Sequence, residues 1–264
     1  MDSAAVGHYL ERIGAPRVAA PTGGALRLLH GRHLEAVPFE NLSIHLGEPI
    51  VLTEDALVDK VTARRRGGFC YELNGVFSFL LTALGYEVTL LAARVFGDGG
   101  DLGPPFDHLV LEVAAEEGRW LADVGFGDHS RGPLRIGTGG PQADPAGMFE
   151  VVEAAGGDLD VVRDGRPRYR VERRPRALED FVPTCWWQAT SPDSWFRRSL
   201  VCTRLTPAGR ITLSGNRLIR TENGERGETV LEGDEAVLDA YAREFGVALS
   251  RVPVVAPPEK RSMP

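Results

Sequence analysis

The chain has 264 residues, 30 Lys+Arg against 37 Asp+Glu for a formal net charge of −7, 43% hydrophobic residues and 3 cysteines. Mixed charge at this apolar content excludes a disordered chain. No apolar run approaches the roughly 18 residues of a membrane-spanning helix, and net acidity argues against a nucleic-acid surface. An odd cysteine count makes no disulfide framework, and Met1 to His8 lack the basic and apolar runs of a signal peptide, so a cytoplasmic setting is expected.

The expected elements begin with a helix on Val6, Tyr9, Leu10 and Ile13, stopped by Gly14 and Pro16. A second helix carries Leu26, Leu28, Leu29 and Leu34 behind a Thr22 cap, and a third carries Leu57, Val58 and Val61 behind Thr53, with Val37 to Leu42 as a connector. The clearest helix follows Gly67-Gly68: Phe69, Leu73, Val76, Phe77, Leu80, Leu81 and Leu84 form one stripe of helical period, closed by Gly85. From Tyr86 the pattern turns to strands, at Val88 to Val95, Leu109 to Val113, Trp120 to Val124, Phe149 to Val152, Leu159 to Val162 and Tyr169 to Val171, as in a barrel or sandwich. Strands at Leu200 to Leu205 and Arg210 to Leu213, a helix from Glu235 to Phe245 and a mobile Pro-rich tail from Pro253 complete the chain. Helices first, strands second and a mixed segment last give the α+β class.

Cys70 is the candidate nucleophile. Gly67-Gly68 allows a close backbone approach, the first turn of a helix favours a thiolate, and Arg64, Arg65 and Arg66 add positive charge nearby. Cys185 and Cys202 read as packing residues. A cysteine nucleophile needs a base and an orienting group. His108 begins one strand and Asp123 ends the next. A four-residue loop, Ala114 to Glu117, would set His108 opposite Asp123, whereas a two-residue turn at Glu117-Gly118 would set Gly127 there. His30 and His33 could share a helix face without a third metal-type ligand, so no metal site is expected, and His45 and His129 fall in polar loops. A free thiol of pKa near ~8.5 is only ~3% thiolate at pH 7. Lowering that pKa by ~3 units gains ~30-fold in thiolate and loses ~15–30-fold in nucleophilicity. The pair's benefit therefore lies in orientation and proton transfer.

Arg66 to Asn74, reading RGGFCYELN, resembles the active-site signature of the arylamine N-acetyltransferases. Val37 to Leu42, Asp107-His108-Leu109-Val110, Leu121 to Gly127 and Ser191 to Phe196 resemble further motifs of that family, in the same order and at the same spacing. The resemblance implies a cysteine-protease-like core with an N-terminal helical bundle (1–85), a central β-barrel (86–190) and a C-terminal α/β lid (191–264). It implies acetyl transfer from acetyl-CoA, a substrate rather than a resident cofactor, to an arylamine, arylhydrazine or arylhydroxylamine. The route is ping-pong through an acetyl-cysteine on Cys70, with His108 as base and Asp123 orienting it. Phe39, Phe126 and Phe196 match acceptor-pocket positions, and backbone N–H groups near Cys70 and Gly125 are oxyanion candidates, with Gly127 beside them.

Asp128 stands where many relatives carry glycine, and its carboxylate would repel a CoA pyrophosphate; the C-terminal region also looks short, which would open the cleft. Both departures favour the alternative of an amide synthase of the same fold, which closes a macrolactam from a chain on an acyl carrier protein. A cysteine hydrolase is a further alternative with the same triad, and a non-catalytic binding module the last.

Overall fold

In the computed structural model, which describes residues 1–255, Asp2 opens the first helix, α1 (Ser3–Ile13), by accepting the N–H of Ala5 at 2.8 Å. The expected mobile tail falls mostly on 256–264, outside the described residues. Thr22 caps α2 (Gly23–Ala36), whose inward face is Leu26, Leu29, His30 and His33; Leu28 points outward. After β1 (Phe39–Glu40) and α3 (Leu42–Leu46) comes α4 (Glu54–Thr62), which buries Leu57 and Val61. Thr53 makes no side-chain cap there, and Glu54 and Asp55 supply favourable first-turn charge instead. The long central helix α5 (Cys70–Ala83) ends in a glycine-dependent motif: Gly85, at φ 91, donates to Thr82 O and Tyr86 to Leu81 O.

Eight strands then form one antiparallel sheet that nearly closes into a barrel. They are β2 (Glu87–Val95), β3 (His108–Ala115), β4 (Gly118–Ala122), β5 (Leu134–Arg135), β6 (Gln142–Asp144), β7 (Gly147–Glu153), β8 (Leu159–Arg163) and β9 (Arg166–Arg176). Their spatial order is β5-β4-β3-β2-β9-β8-β7-β6, and β5 approaches β7 across the gap. The β3–β4 register is neither of the two expected. Ala115 pairs with Gly118 and Val113 with Trp120, so the turn is Glu116-Glu117, and Gly118 leaves it at φ 127. The slip from the four-residue-loop register is an even number of residues, which preserves the face. Asp123, one residue past β4, therefore stays on the side of His108, as its diagonal neighbour.

The barrel strands stop at Arg176. The stretch expected to continue the barrel to 190 is helical, a 3-10 turn at Leu178–Phe181 followed by α6 (Val182–Thr190), with Pro183 in the first turn where its missing N–H does no harm. Next come α7 (Trp195–Arg198), β10 (Cys202–Thr206), β11 (Gly209–Ser214), β12 (Arg217–Glu222), β13 (Glu225–Val230) and α8 (Gly233–Phe245). The last four strands join β1 in an antiparallel sheet ordered β1-β10-β11-β12-β13.

Three clusters hold these parts together. Leu109, Leu111 and Val113 on one face of β3 pack with α1, α2 and α5; the alternate face of the barrel sheet, with Val110, Phe149, Val161 and Tyr169, fills the barrel; and α8 seals Cys202, Ile211 and Leu213. Strand alternation thus sends His108, like Val110, toward the barrel interior.

Candidate active site

Cys70 is the first residue of α5, and the glycines before it are required by close approach. A Cβ on Gly67 would lie 1.8 Å from the Pro38 carbonyl oxygen, and one on Gly68 2.5 Å from the Glu72 carboxylate. In return, Glu40 donates its N–H to Gly68 O at 2.8 Å, and Glu72 accepts the N–H of Phe69. The expected arginine assistance is not delivered. Arg66 is buried and bonded to Glu40 at 2.9 Å and Glu48 at 3.0 Å, and Arg64 is held by Glu48 at 3.2 Å. Their charge is neutralised locally. Burial pushes the Cys70 thiol well above its ordinary pKa, opposed by the Leu109 N–H. Cys185, in α6, and Cys202, in β10, are also free, buried and pushed up by burial.

His108 and Asp123 meet: Nε2 lies 2.8 Å from Oδ2, and both residues are buried. Burial alone would raise the Asp123 carboxyl, but the charge and hydrogen bond of His108, with help from His129 and Asn74, hold it well below the usual carboxylate range. Its other oxygen accepts Asn74 Nδ2 at 2.9 Å and the Gly125 N–H at 3.0 Å. Gly125 therefore gives its N–H to Asp123 and is not the free oxyanion donor expected of it. What fixes glycine there is packing, since a Cβ would lie 2.7 Å from Cys70 Cα.

Asn74, one helical turn after Cys70, ties the two halves of the site together. It also donates to Leu109 O at 2.6 Å and accepts the Val124 N–H at 2.9 Å. His30 accepts the N–H of Asp123 at 3.2 Å, and its Nδ1 sits 3.1 Å from Arg131 O; burial lowers its pKa to about 4. His33 bonds the Tyr9 hydroxyl at 2.8 Å. His129 lies in the loop between β4 and β5 as expected but is buried there, and His45 lies in α3 rather than in a loop. His129 is buried against Tyr169 and Phe126, with its pKa lowered by burial to about 3, and buried His45 faces the carbonyls of Phe196 and Ser199.

A cavity of about 790 Å³ opens over Cys70 and His108 and is lined by Phe39, Gly125, Phe126 and Phe196. Gly127 lies outside this lining. At φ 87 it packs behind Phe39, with room for a Cβ only 3.2 Å from that ring. Phe126 meets the His108 ring edge-on at 5.2 Å, and the Arg168 guanidinium lies over the Phe126 ring at 5.3 Å from its centroid. Among the wall residues that escape sequence reasoning are Trp187 and Trp195. Both leave large apolar surface exposed, the observation that marks a binding wall.

Residues 24–254 match a family model described as N-acetyltransferase. The arylamine N-acetyltransferase of Escherichia coli strain K12 is 34% identical over 92% of this chain and 88% of its own. An M. smegmatis arylamine N-acetyltransferase structure superposes with a TM-score of 0.85 at 34% identity, covering 95% of both chains. The Mycobacterium marinum enzyme in complex with CoA superposes at 0.83 and 32% identity, covering 92% of both. Cys70 at the head of its helix, a hydrogen-bonded His108–Asp123 pair and an aromatic cavity over both thus sit in a framework shared along nearly the whole chain, which belongs to the arylamine N-acetyltransferase family of acyltransferases.

Proposed function

We propose that this chain moves an acetyl group from acetyl-CoA to an arylamine, arylhydrazine or arylhydroxylamine through an acetyl-cysteine on Cys70. The observation that carries this reading is the 2.8 Å contact of His108 Nε2 with Asp123 Oδ2 in the cavity that Cys70 also lines, from which the tautomer follows because an ionised carboxylate only accepts. His108 donates from Nε2 to the carboxylate, which leaves Nδ1 as the acceptor for the thiol proton in a cavity lined by Cys70 and His108. In the first half-reaction the Cys70 proton passes to Nδ1 and the sulfur adds to the thioester carbonyl. The tetrahedral intermediate then expels the CoA thiolate, which takes the proton back from the imidazolium. In the second, the amine nitrogen adds to acetyl-Cys70, His108 accepts its proton, and the cysteine thiolate leaves and is reprotonated. The aromatic walls at Phe39, Phe126 and Phe196 suit a planar acceptor by stacking. The division 1–85, 86–190 and 191–264 places the nucleophile in the first part and the base and its carboxylate in the second. A cytoplasmic setting suits three free cysteines, and no helix of the described residues is long and apolar enough to cross a membrane.

The test is intact-mass spectrometry after incubation with acetyl-CoA and no amine. An acetyl adduct is expected on the parent chain and not on Cys70→Ala. An aryl hydrazine acetylated without any adduct on the parent would overturn the ping-pong route. Cyclisation of a carrier-linked acyl amine without acetylation of any aryl acceptor would assign the site to amide formation instead.

A further inference from the structure

Asp107, the residue before His108, is reached by a chain of hydrogen bonds that starts at the aromatic wall of the catalytic cavity. Phe196 donates its N–H to Ser194 Oγ at 3.1 Å, and Ser194 donates its hydroxyl to Gln188 Oε1 at 2.6 Å. Gln188 Nε2 then donates to Asp107 Oδ1 at 2.7 Å, while Asp107 Oδ2 accepts the Val95 N–H at 3.4 Å. Every donor points toward the carboxylate, which only accepts when ionised. Ser194 and Gln188 are buried, and Asp107, Gln188 and Phe196 all line the cavity over Cys70. Burial pushes the Asp107 carboxyl up, opposed by the Val95 N–H, the charge of His108, the Gln188 hydrogen bond and Arg94.

The backbone at this point needs holding. Phe106 stands at φ 60, a left-handed conformation that a residue with a side chain keeps only where its surroundings fix it. The Tyr71 hydroxyl supplies part of that support, at 2.9 Å from Phe106 O and 3.1 Å from Asp107 O, and the Phe106 ring packs edge-on to Phe181 at 5.4 Å. These contacts stop short of α7. The chain through Gln188 links the turn before His108 to the cap of α7, the helix that carries Trp195 and Phe196.

We propose that Gln188 is a positioning residue that sets the spacing between the base His108 and the acceptor wall at Phe196, by tying the turn before His108 to the cap of α7. The inference rests on the acetyl-cysteine route. The first half-reaction needs Cys70 and His108, and Tyr71 still holds the Asp107 peptide when Gln188 is changed. In the second, the acceptor nitrogen meets the acetyl carbon and His108 Nδ1 while its ring lies against the aromatic wall. An acceptor with a ring therefore depends on both ends of the chain. Hydrazine, which brings an N–N nucleophile and no ring, depends on one end. A misplacement of about 1 Å between reacting groups costs up to about 100-fold in rate.

The test compares phenylhydrazine with hydrazine as acceptors for one acetyl-enzyme. Each chain is acetylated with p-nitrophenyl acetate, which transfers its acetyl group to Cys70 Sγ and releases p-nitrophenol. The adduct is counted by intact mass, and its removal by each hydrazine, which returns the thiol and an acetylhydrazide, is timed per acetylated molecule. The ratio of the phenylhydrazine to the hydrazine rate constant falls about tenfold in Gln188→Ala, and by less in Ser194→Ala, where the Asp107 contact remains. Gln188→Glu sets two carboxylates against each other and also lowers the ratio. Joined to Asp107→Asn, it restores a donor and an acceptor across the same gap with reversed polarity, and the ratio recovers. A Gln188→Ala chain that slows both hydrazines equally, with the ratio unmoved, has lost only structure and overturns the inference. A double variant no better than Gln188→Glu alone overturns it too. If Gln188→Ala does not fold, an unmoved ratio in Ser194→Ala has the same force. A parent that never acetylates on Cys70 removes the acetyl-cysteine route and this inference with it. A parent that acetylates, with the ratio constant in every variant, removes this inference alone.

Discussion

Truncation of Asn74 to alanine tests whether the nucleophile helix and the His–Asp strands are one machine. Asn74 is fully buried and makes three hydrogen bonds, to Leu109 O, to Asp123 Oδ1 and from the Val124 N–H. Asn74→Ala leaves a buried carbonyl and a buried N–H without partners and removes one donor from a buried carboxylate. At about 1–3 kcal/mol per orphaned group, the loss is about 4 kcal/mol, a large share of a stability of about 5–15 kcal/mol. Urea unfolding at neutral pH measures it. The folded fraction should retain KM for acetyl-CoA within about twofold while kcat falls about 100-fold, the size of effect that follows a small misplacement of reacting groups. Asn74→Asp separates positioning from packing. It keeps an acceptor for Val124 but sets a second carboxylate at the 2.9 Å contact with Asp123, so the pair must share a proton. The acid limb of the kcat/KM profile should then move to higher pH. An Asn74→Ala chain as stable and as fast as the parent, or an Asn74→Asp chain with an unmoved acid limb, would refute the argument.

Two further predictions concern charge. Arg66→Gln strands Glu40 in the interior and should cost about 3–5 kcal/mol, yet leave the pH dependence of Cys70 alkylation unchanged, because Arg66 serves Glu40 and Glu48 rather than the thiol; a shifted alkylation curve would contradict this. His30 and His129 have folded pKa values of about 4 and about 3, below the ordinary 6.5. Both are neutral in the fold, so their contribution is complete above about pH 6.5 and is lost as pH falls through the folded values. At pH 5 each should have withdrawn about 2 kcal/mol, and a urea midpoint flat between pH 7 and pH 5 would rule this out.

The central helix was legible because its signal is strong and local: seven apolar residues at helical spacing and a glycine where the chain must turn left-handed. The meeting of His108 with Asp123 was legible for a subtler reason, since any register of the right parity brings the two to one face. The turn itself was not, because Glu116-Glu117 carries no turn chemistry and the glycine stands one position later. The β12–β13 hairpin, in contrast, was announced by Asn223-Gly224, the pair that adopts positive φ at both turn positions, here 51 and 87. Its second strand carries no such signal, since β13 is exposed throughout and shows no alternation. The arginines before Cys70 misled because nearness in sequence carries no information about carboxylates that arrive from Glu40 and Glu48. Asn74 was visible as a letter in a motif, but its role depends on Leu109 and Val124, which only the tertiary fold brings to it.

The two-residue strand β1 has a consequence for the order in which the protein can be completed. Phe39 and Glu40 pair with Thr203 and Cys202, and Asn41, 160 residues before Val201, exchanges hydrogen bonds with it. The same short segment holds Gly68, two residues before Cys70. A ribosome has therefore released all of α5 and the whole barrel before the glycine turn at the nucleophile acquires its final support. The ends of that long loop must close before the contacts reward it, which makes this a late and slow step. In nascent chains halted before Thr203, Cys70 should react with alkylating reagents faster than in the completed chain, and the rate should fall only when β10 emerges.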